Sequence, residues 1–253
     1  MKSVQLEKLT TREFVAAGFA AAIVPLGACE SHGDHMPFGT DGLTSHALAV
    51  QVAEQLERTV VLPPNYLGMS DHYRHQPMCI SVSSDTQTRV VRDVLESLHH
   101  WGIDRVLVIN GHDGNTAPIE IAARDVKIAH PEMSIAAIDW WVITNQRLPK
   151  DTFDVWGGWG HAGEAETSIG LALFPDFMQM AEARGQVPTV DPYVKEIWLF
   201  NELTAYGASG APKHATPEKG KLIVDTVVEY MVPYMQRFER DGLAFNPIDE
   251  PTR

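Results

Sequence analysis

Between Pro25 and Gly42 the chain reads PLGACESHGDHMPFGTDG, and Glu30, His32, Asp34, His35 and Asp41 fall within twelve positions of it. The stretch follows directly on an apolar run, 20–26. A connecting turn needs polar residues, but it does not need two imidazoles and three carboxylates in so short a span. Glu30 and His32 are two apart, so on an extended chain they point the same way. Asp41 falls at an expected helix start, where it is either a cap or a ligand swung inward. Two more clusters carry similar chemistry: NGHDGN, Asn110 to Asn115, and GHAGEAETS, Gly160 to Ser168.

Imidazole together with carboxylate suits Zn, Mn or Fe(II), and a carboxylate shared between two cations is a usual way to hold a divalent pair. For His32 alone a polar turn with a backbone-satisfied imidazole is the better reading. With His112 and Glu166 at matching strand ends, the metal reading is favoured. Glu164 and Glu166 are two apart and cannot share a helix face. One of them is then a ligand or base, and the other is solvated or a first-turn charge near the helix dipole. There is no GxSxG elbow, and Cys29 and Cys79 lie beside no base motif, so a serine or cysteine hydrolase is disfavoured.

The elements that must position these clusters alternate along the chain. Apolar runs at 19–28, 59–67, 105–112 and 134–141 read as strands, the second closed by Pro63 and Pro64. Helical spacing marks 41–58, 83–102, 116–130, 163–174 and 215–240. The last has Thr216 as N-cap and Pro217 at the favoured first position, with Pro233 expected to kink or end it. Segments 142–160 and 206–214 read as insert-like loops. The strands carry unbroken apolar runs, as parallel strands buried on both faces do. The expectation is one α/β domain over residues 1–253 with a mostly parallel sheet covered by helices. In such sheets sites form beyond the carboxyl ends of the strands, and the three clusters converge on that rim.

Composition sets the outer bounds. The 253 residues are 44% hydrophobic and 21% charged, enough for a sizeable core. A formal charge of −13 repels nucleic-acid backbones and anionic membranes. No apolar run nears the roughly 18 residues that span a bilayer, and MKSVQLEKLTTREF carries no signal-peptide core, so a cytoplasmic enzyme is expected.

At the clusters the sequence resembles the creatininase family (creatinine amidohydrolases and relatives). PLGACESHGDHMPFGTD resembles its E-x-H-G-x-H-x-P-x-x-T-D signature, NGHDGN its N-G-H-x-x-N, HAGEAETS its H-x-G-x-x-E-T-S and HATPEKG (214–220) its late A-x-x-E-K-G element. The resemblance implies a three-layer α/β/α sandwich, amide-bond hydrolysis at two divalent ions per chain (Zn and/or Mn, with Fe possible), and a homo-oligomer, often a hexameric ring. By position, Glu30, His32, Asp41 and His112 match the family's metal ligands, with Asp41 as the bridge, and His161 matches its proton-transferring histidine. The family's ligand two residues after the N-G-H histidine is here Gly114. Glu166 is the expected replacement, with Glu164 and Asp113 as alternatives, and Glu164 is also a candidate base beside His161. The region 72–84 also departs from the family, which puts Cys79 in the expected pocket lining and makes creatinine itself a doubtful substrate. Trp140, Trp141, Trp156 and Trp159 bracket the loop before His161, and Trp141 or Trp159 is expected to pack on a planar amide. A two-metal phosphoesterase is the competing enzyme reading, and it lacks an obvious Arg or Lys cluster. A non-catalytic metal-stabilised scaffold would keep the ligands and have no need of His161.

Overall fold

Four apolar runs form the centre of the molecule. In the computed structural model, which describes residues 3–191 and 193–243, they become β1 (Ala21–Leu26), β2 (Thr59–Val61), β3 (Arg105–Asn110) and β4 (Ser134–Asp139). The strands form one sheet in the order β2-β1-β3-β4, with every neighbouring pair parallel. Alternate side chains feed two separate cores. Ala21, Ile23, Leu107 and Ile109 face one side, and Ala22, Val24, Val106 and Val108 face the other.

The helices are α1 (Thr11–Ala17), α2 (Thr40–Ala53), α3 (Ser84–His100), α4 (Thr116–Ala129), α5 (Trp140–Arg147), α6 (Glu164–Leu173), α7 (Phe200–Leu203) and α8 (Pro217–Asp241). Helices α2, α5, α6 and α8 pack on the first face of the sheet, and α3 and α4 on the second. The expected α/β/α sandwich is what forms. Among the described residues no helix is long and apolar enough to cross a membrane.

Three differences from the sequence reading have physical causes. The second strand stops at Val61, ahead of Pro63 and Pro64, which have no N–H for a ladder. The fourth stops at Asp139, and the first six residues of the expected loop 142–160 belong to helix α5, because Trp140, Ile143 and Thr144 bury one helical stripe. Helix α8 runs on past Pro233 to Asp241. Pro233 is exposed, so water can reach the carbonyl it leaves unpaired, while buried Met231, Met235 and Phe238 hold the helix to the core.

The topology also fixes where a site can form. From β1 the chain passes through α2 to β2 on one side, and from β3 through α4 to β4 on the other. The loops leaving the adjacent strands β1 and β3 therefore diverge and open a crevice at the carboxyl edge.

Candidate metal centre

The crevice receives one cluster from each of three places. The loop after β1 brings Glu30 and His32, the turn after β3 brings His112, and the start of α6 brings Glu166, with His161 just ahead of it. Asp41 comes from the first turn of α2, which lies directly over the end of β3. A Cβ on Gly111 would stand 2.2 Å from the Asp41 carbonyl oxygen, so only glycine permits that approach. Asp41 does not cap its helix, whose N-cap is Gly39 without a side-chain bond. Its carboxylate turns inward instead.

Asp41 Oδ1 lies 2.9 Å from His32 Nε2, and Oδ2 lies 3.3 Å from His112 Nδ1. Glu166 Oε1 is 3.7 Å from the same His32 nitrogen, and Glu30 Oε1 is 3.2 Å from the same His112 nitrogen. Two three-donor groups result, Glu30–Asp41–His112 and His32–Asp41–Glu166, and they share Asp41. His161 stands over both, its Nδ1 3.6 Å from Glu30 and 3.9 Å from Glu166, and its ring 4.1 Å from that of His32. It also falls within ligand range of Glu30 and His32.

Backbone carbonyls orient all three imidazoles. His32 Nδ1–H donates to Glu30 O at 3.1 Å, His112 Nε2–H to Met69 O at 2.9 Å, and His161 Nε2–H to Ser31 O at 2.7 Å. The other nitrogen of each ring then faces the carboxylates. This is the arrangement that outer partners impose on metal-binding histidines.

Burial is nearly complete: Glu30 and His32 are 0% exposed, Asp41 2% and His112 4%. With the single His112 proton on Nε2, both Glu30 carboxylate oxygens and Asp41 Oδ2 are buried without a hydrogen-bond donor, a costly state for anionic oxygens unless a cation or a second proton on His112 compensates them. In the metal-free protein, burial alone would lower the His32 pKa, but the Asp41 and Glu166 carboxylates outweigh it and hold it well above the usual range. His112 behaves alike: burial opposes its charge, and Glu30 and Asp41 prevail. Burial pushes Asp41 up, and the His32 charge and the bonds to both imidazoles pull it below the ordinary carboxylate range. His161 is shifted down, first by burial and then by the charge on His32.

Not every expected residue reaches this place. Glu164 faces away, fully buried, where it accepts from the amides of Asp154 and Val155 at 3.0–3.1 Å and pairs with Lys219. A carboxylate engaged on every side there has no access to the crevice, which corrects its candidacy as base or ligand. A carboxylate at position 114 has no room either, because a Cβ there would meet Met69 O at 2.1 Å and His112 Nε2 at 2.4 Å. Glu166 is held toward the cluster by the Ala162 amide, 2.5 Å from its Oε2.

Above the cluster opens a cleft of about 460 Å³. Asp41, His112, His161 and Glu166 contribute to its lining, as do the expected Asp113, Trp141 and Trp159. Cys79 is not part of it. Its thiol donates to Ser70 O at 3.1 Å and is pushed up to about 12 by burial and then by Glu30. The sequence reading did not single out Tyr73, Trp198 or Phe200, which complete the aromatic wall. Tyr73 packs against both His161 (4.6 Å) and Phe200 (4.2 Å). A larger depression of about 520 Å³ lies along α4 and β4 and contains none of the cluster.

Comparison with known proteins bears on this arrangement. The family model for creatininase, described as creatinine amidohydrolase, matches residues 7–235. The creatinine amidohydrolase of Pseudomonas putida is 29% identical over 252 residues, with 90% of this chain and 94% of that protein aligned. A mycofactocin precursor peptide peptidase of Mycolicibacterium smegmatis is 27% identical, over 87% of this chain and 85% of its own. A solved structure of a creatininase variant in a zinc–zinc form has a TM-score of 0.80 at 30% identity, covering 95% of this chain and all of that one.

Proposed function

Because the chain belongs to the creatininase family of hydrolases acting on C–N bonds, we propose that it cleaves the amide of a small cyclic or linear molecule at a two-cation centre. Asp41 carries this reading, since its two oxygens face different imidazoles at 2.9 and 3.3 Å. Glu30, Asp41 and His112 would hold one ion, and His32, Asp41 and Glu166 the other. The unpartnered oxygens of Glu30 and Asp41 fit that role, and the mixed nitrogen and oxygen donors suit Zn, Mn or Fe(II). When bound, such a pair supplies a water acidic enough to attack near neutral pH and an electrophile for the amide carbonyl.

The chain's own groups account for the remainder. His161 is oriented through its Nε2–H, and burial favours its neutral form, so Nδ1 is free to take a proton and pass it to the departing nitrogen. The aromatic walls give a flat amide faces to lie against and keep bulk water away. No Lys or Arg lines the cleft among the described residues, which weighs against a phosphoester substrate. The family match over most of the chain supports reading it as a single domain.

The test is elemental analysis of protein purified without chelator, alongside Asp41→Ala and a panel of lactams, formamides and peptide amides. Two divalent ions per chain, both lost or halved in the variant along with turnover, is the expected result. One ion or none, indifferent to Asp41→Ala, would sink the reading.

A further inference from the structure

At the opposite edge of the sheet, about 20 Å away by the length of a six-residue strand, a second set of donors converges. His99 lies in the last turn of α3, His130 caps α4, Asp104 precedes β3, and Glu132 sits in the turn before β4. The two imidazole rings lie 4.0 Å apart. Each is oriented by its own carboxylate: His99 Nδ1–H donates to Asp104 Oδ1 at 2.6 Å, and His130 Nε2–H donates to Glu96 Oε2 at 2.7 Å. That leaves His99 Nε2 and His130 Nδ1, and both turn toward a single oxygen, Glu132 Oε1, at 3.5 and 3.8 Å.

The three donor atoms lie within 4.8 Å of one another. Ligand bonds of about 2.0–2.1 Å in a tetrahedron space the donors roughly 3.3–3.4 Å apart, close to the 3.5 and 3.8 Å at which the two nitrogens stand from Glu132 Oε1. A histidine that donates one N–H to a carboxylate and offers the other nitrogen to an ion is the recurring support of zinc sites, and here it occurs twice. The turn is held in place as well. Lys127 Nζ bonds Pro131 O and Met133 O, Met133 N bonds His130 O, and Ser134 N bonds Asp104 O.

We propose that His99, His130 and Glu132 form a site for one divalent transition-metal ion, of the zinc class, independent of the centre at the carboxyl edge. Two imidazoles exclude Mg and Ca as preferred occupants. The fourth position faces solvent, since both histidines are about a quarter exposed. An ion there ties the ends of α3 and α4 to the turn that starts β4.

Equilibrium dialysis against micromolar zinc, followed by elemental analysis, tests this on wild type, Asp41→Ala, His130→Ala, Glu132→Gln and the Asp41→Ala/His130→Ala double variant. Zinc content should fall by one per chain from wild type to His130→Ala, and again by one from Asp41→Ala to the double variant, and Glu132→Gln should weaken that ion by about tenfold or more. The exposed Glu132→Gln change also covers the case in which His130→Ala fails to fold. Zinc content that is unchanged in His130→Ala and Glu132→Gln overturns the proposal, as does the absence of residual zinc in a folded Asp41→Ala protein. Asp41→Ala acts only on the carboxyl-edge ions and His130→Ala only on this one, so the zinc lost on adding His130→Ala to Asp41→Ala reports this site whatever the carboxyl edge retains, and the two failures read out separately.

Discussion

His161 and Glu164 stand three residues apart and have opposite surroundings. His161 enters the crevice with one nitrogen tied to Ser31 O and the other facing carboxylates. Replacing it with Asn keeps a donor for Ser31 and removes the proton carrier. His161→Asn should leave the ion content intact and slow turnover by about 10²–10⁴-fold. Loss of an ion in the variant would make His161 a ligand, and unchanged turnover would favour a scaffold. Glu164 braces the 154–155 backbone against Lys219 from a fully buried position. Glu164→Gln should cost about 2–3 kcal/mol of stability, the scale of a lost charged hydrogen bond, with ion content and kcat preserved. A hundredfold drop in kcat in a well-folded variant would restore Glu164 as a base.

At the scale of elements, the contact between α6 and α8 matters most for the centre, because α6 carries Glu166. The two helices meet backbone to backbone: a Cβ on Gly220 would stand 1.9 Å from Ser168 O. Ser168 Oγ meanwhile accepts from the Thr216 amide at 3.2 Å. Gly220→Ala must therefore push α8 outward, costing about 1–3 kcal/mol and loosening the placement of Glu166. Chemical denaturation and ion affinity should fall together, and an unchanged denaturation midpoint would refute the close contact. This also explains the late HATPEKG segment, in which Lys219 pairs with Glu164 and Gly220 admits α6. The sequence showed the segment as a pattern without its physical cause. Strand cores were legible because unbroken apolar runs have few other homes. Helix α5 was not, because WWVIT is rich in strand-favouring residues and its helical stripe becomes visible only against α8. The cluster residues were legible because they follow strand ends. Tyr73, Trp198 and Phe200 were not, because irregular segments that fold over a cleft carry no period. Cys79 was misplaced because a position in a loop does not tell which way its side chain turns.

For the molecule as a whole, His35 makes acid stability depend on a group outside the two donor sets. It is fully buried, its Nε2–H donates to Thr167 Oγ1 at 3.0 Å, and its Nδ1 has no partner. It thereby joins the loop after β1 to α6. A proton on Nδ1 would be buried without an acceptor. Burial, and then the charge on His32, lower its pKa to about 4 against the opposing pull of Glu166 and Asp34. An unfolded histidine titrates near about 6.5. Between those values the unfolded chain takes up a proton that the folded chain refuses, so stability must fall as pH drops through that window. The loss attributable to His35 is about 2–3 kcal/mol. His35→Gln retains a donor for Thr167 and cannot titrate. Urea midpoints measured from pH 4 to 6.5 should therefore fall less steeply in the variant than in wild type, because every other titrating group is common to both. Parallel slopes would show that the folded protein accepts the proton, and that His35 is not held neutral between the loop and α6.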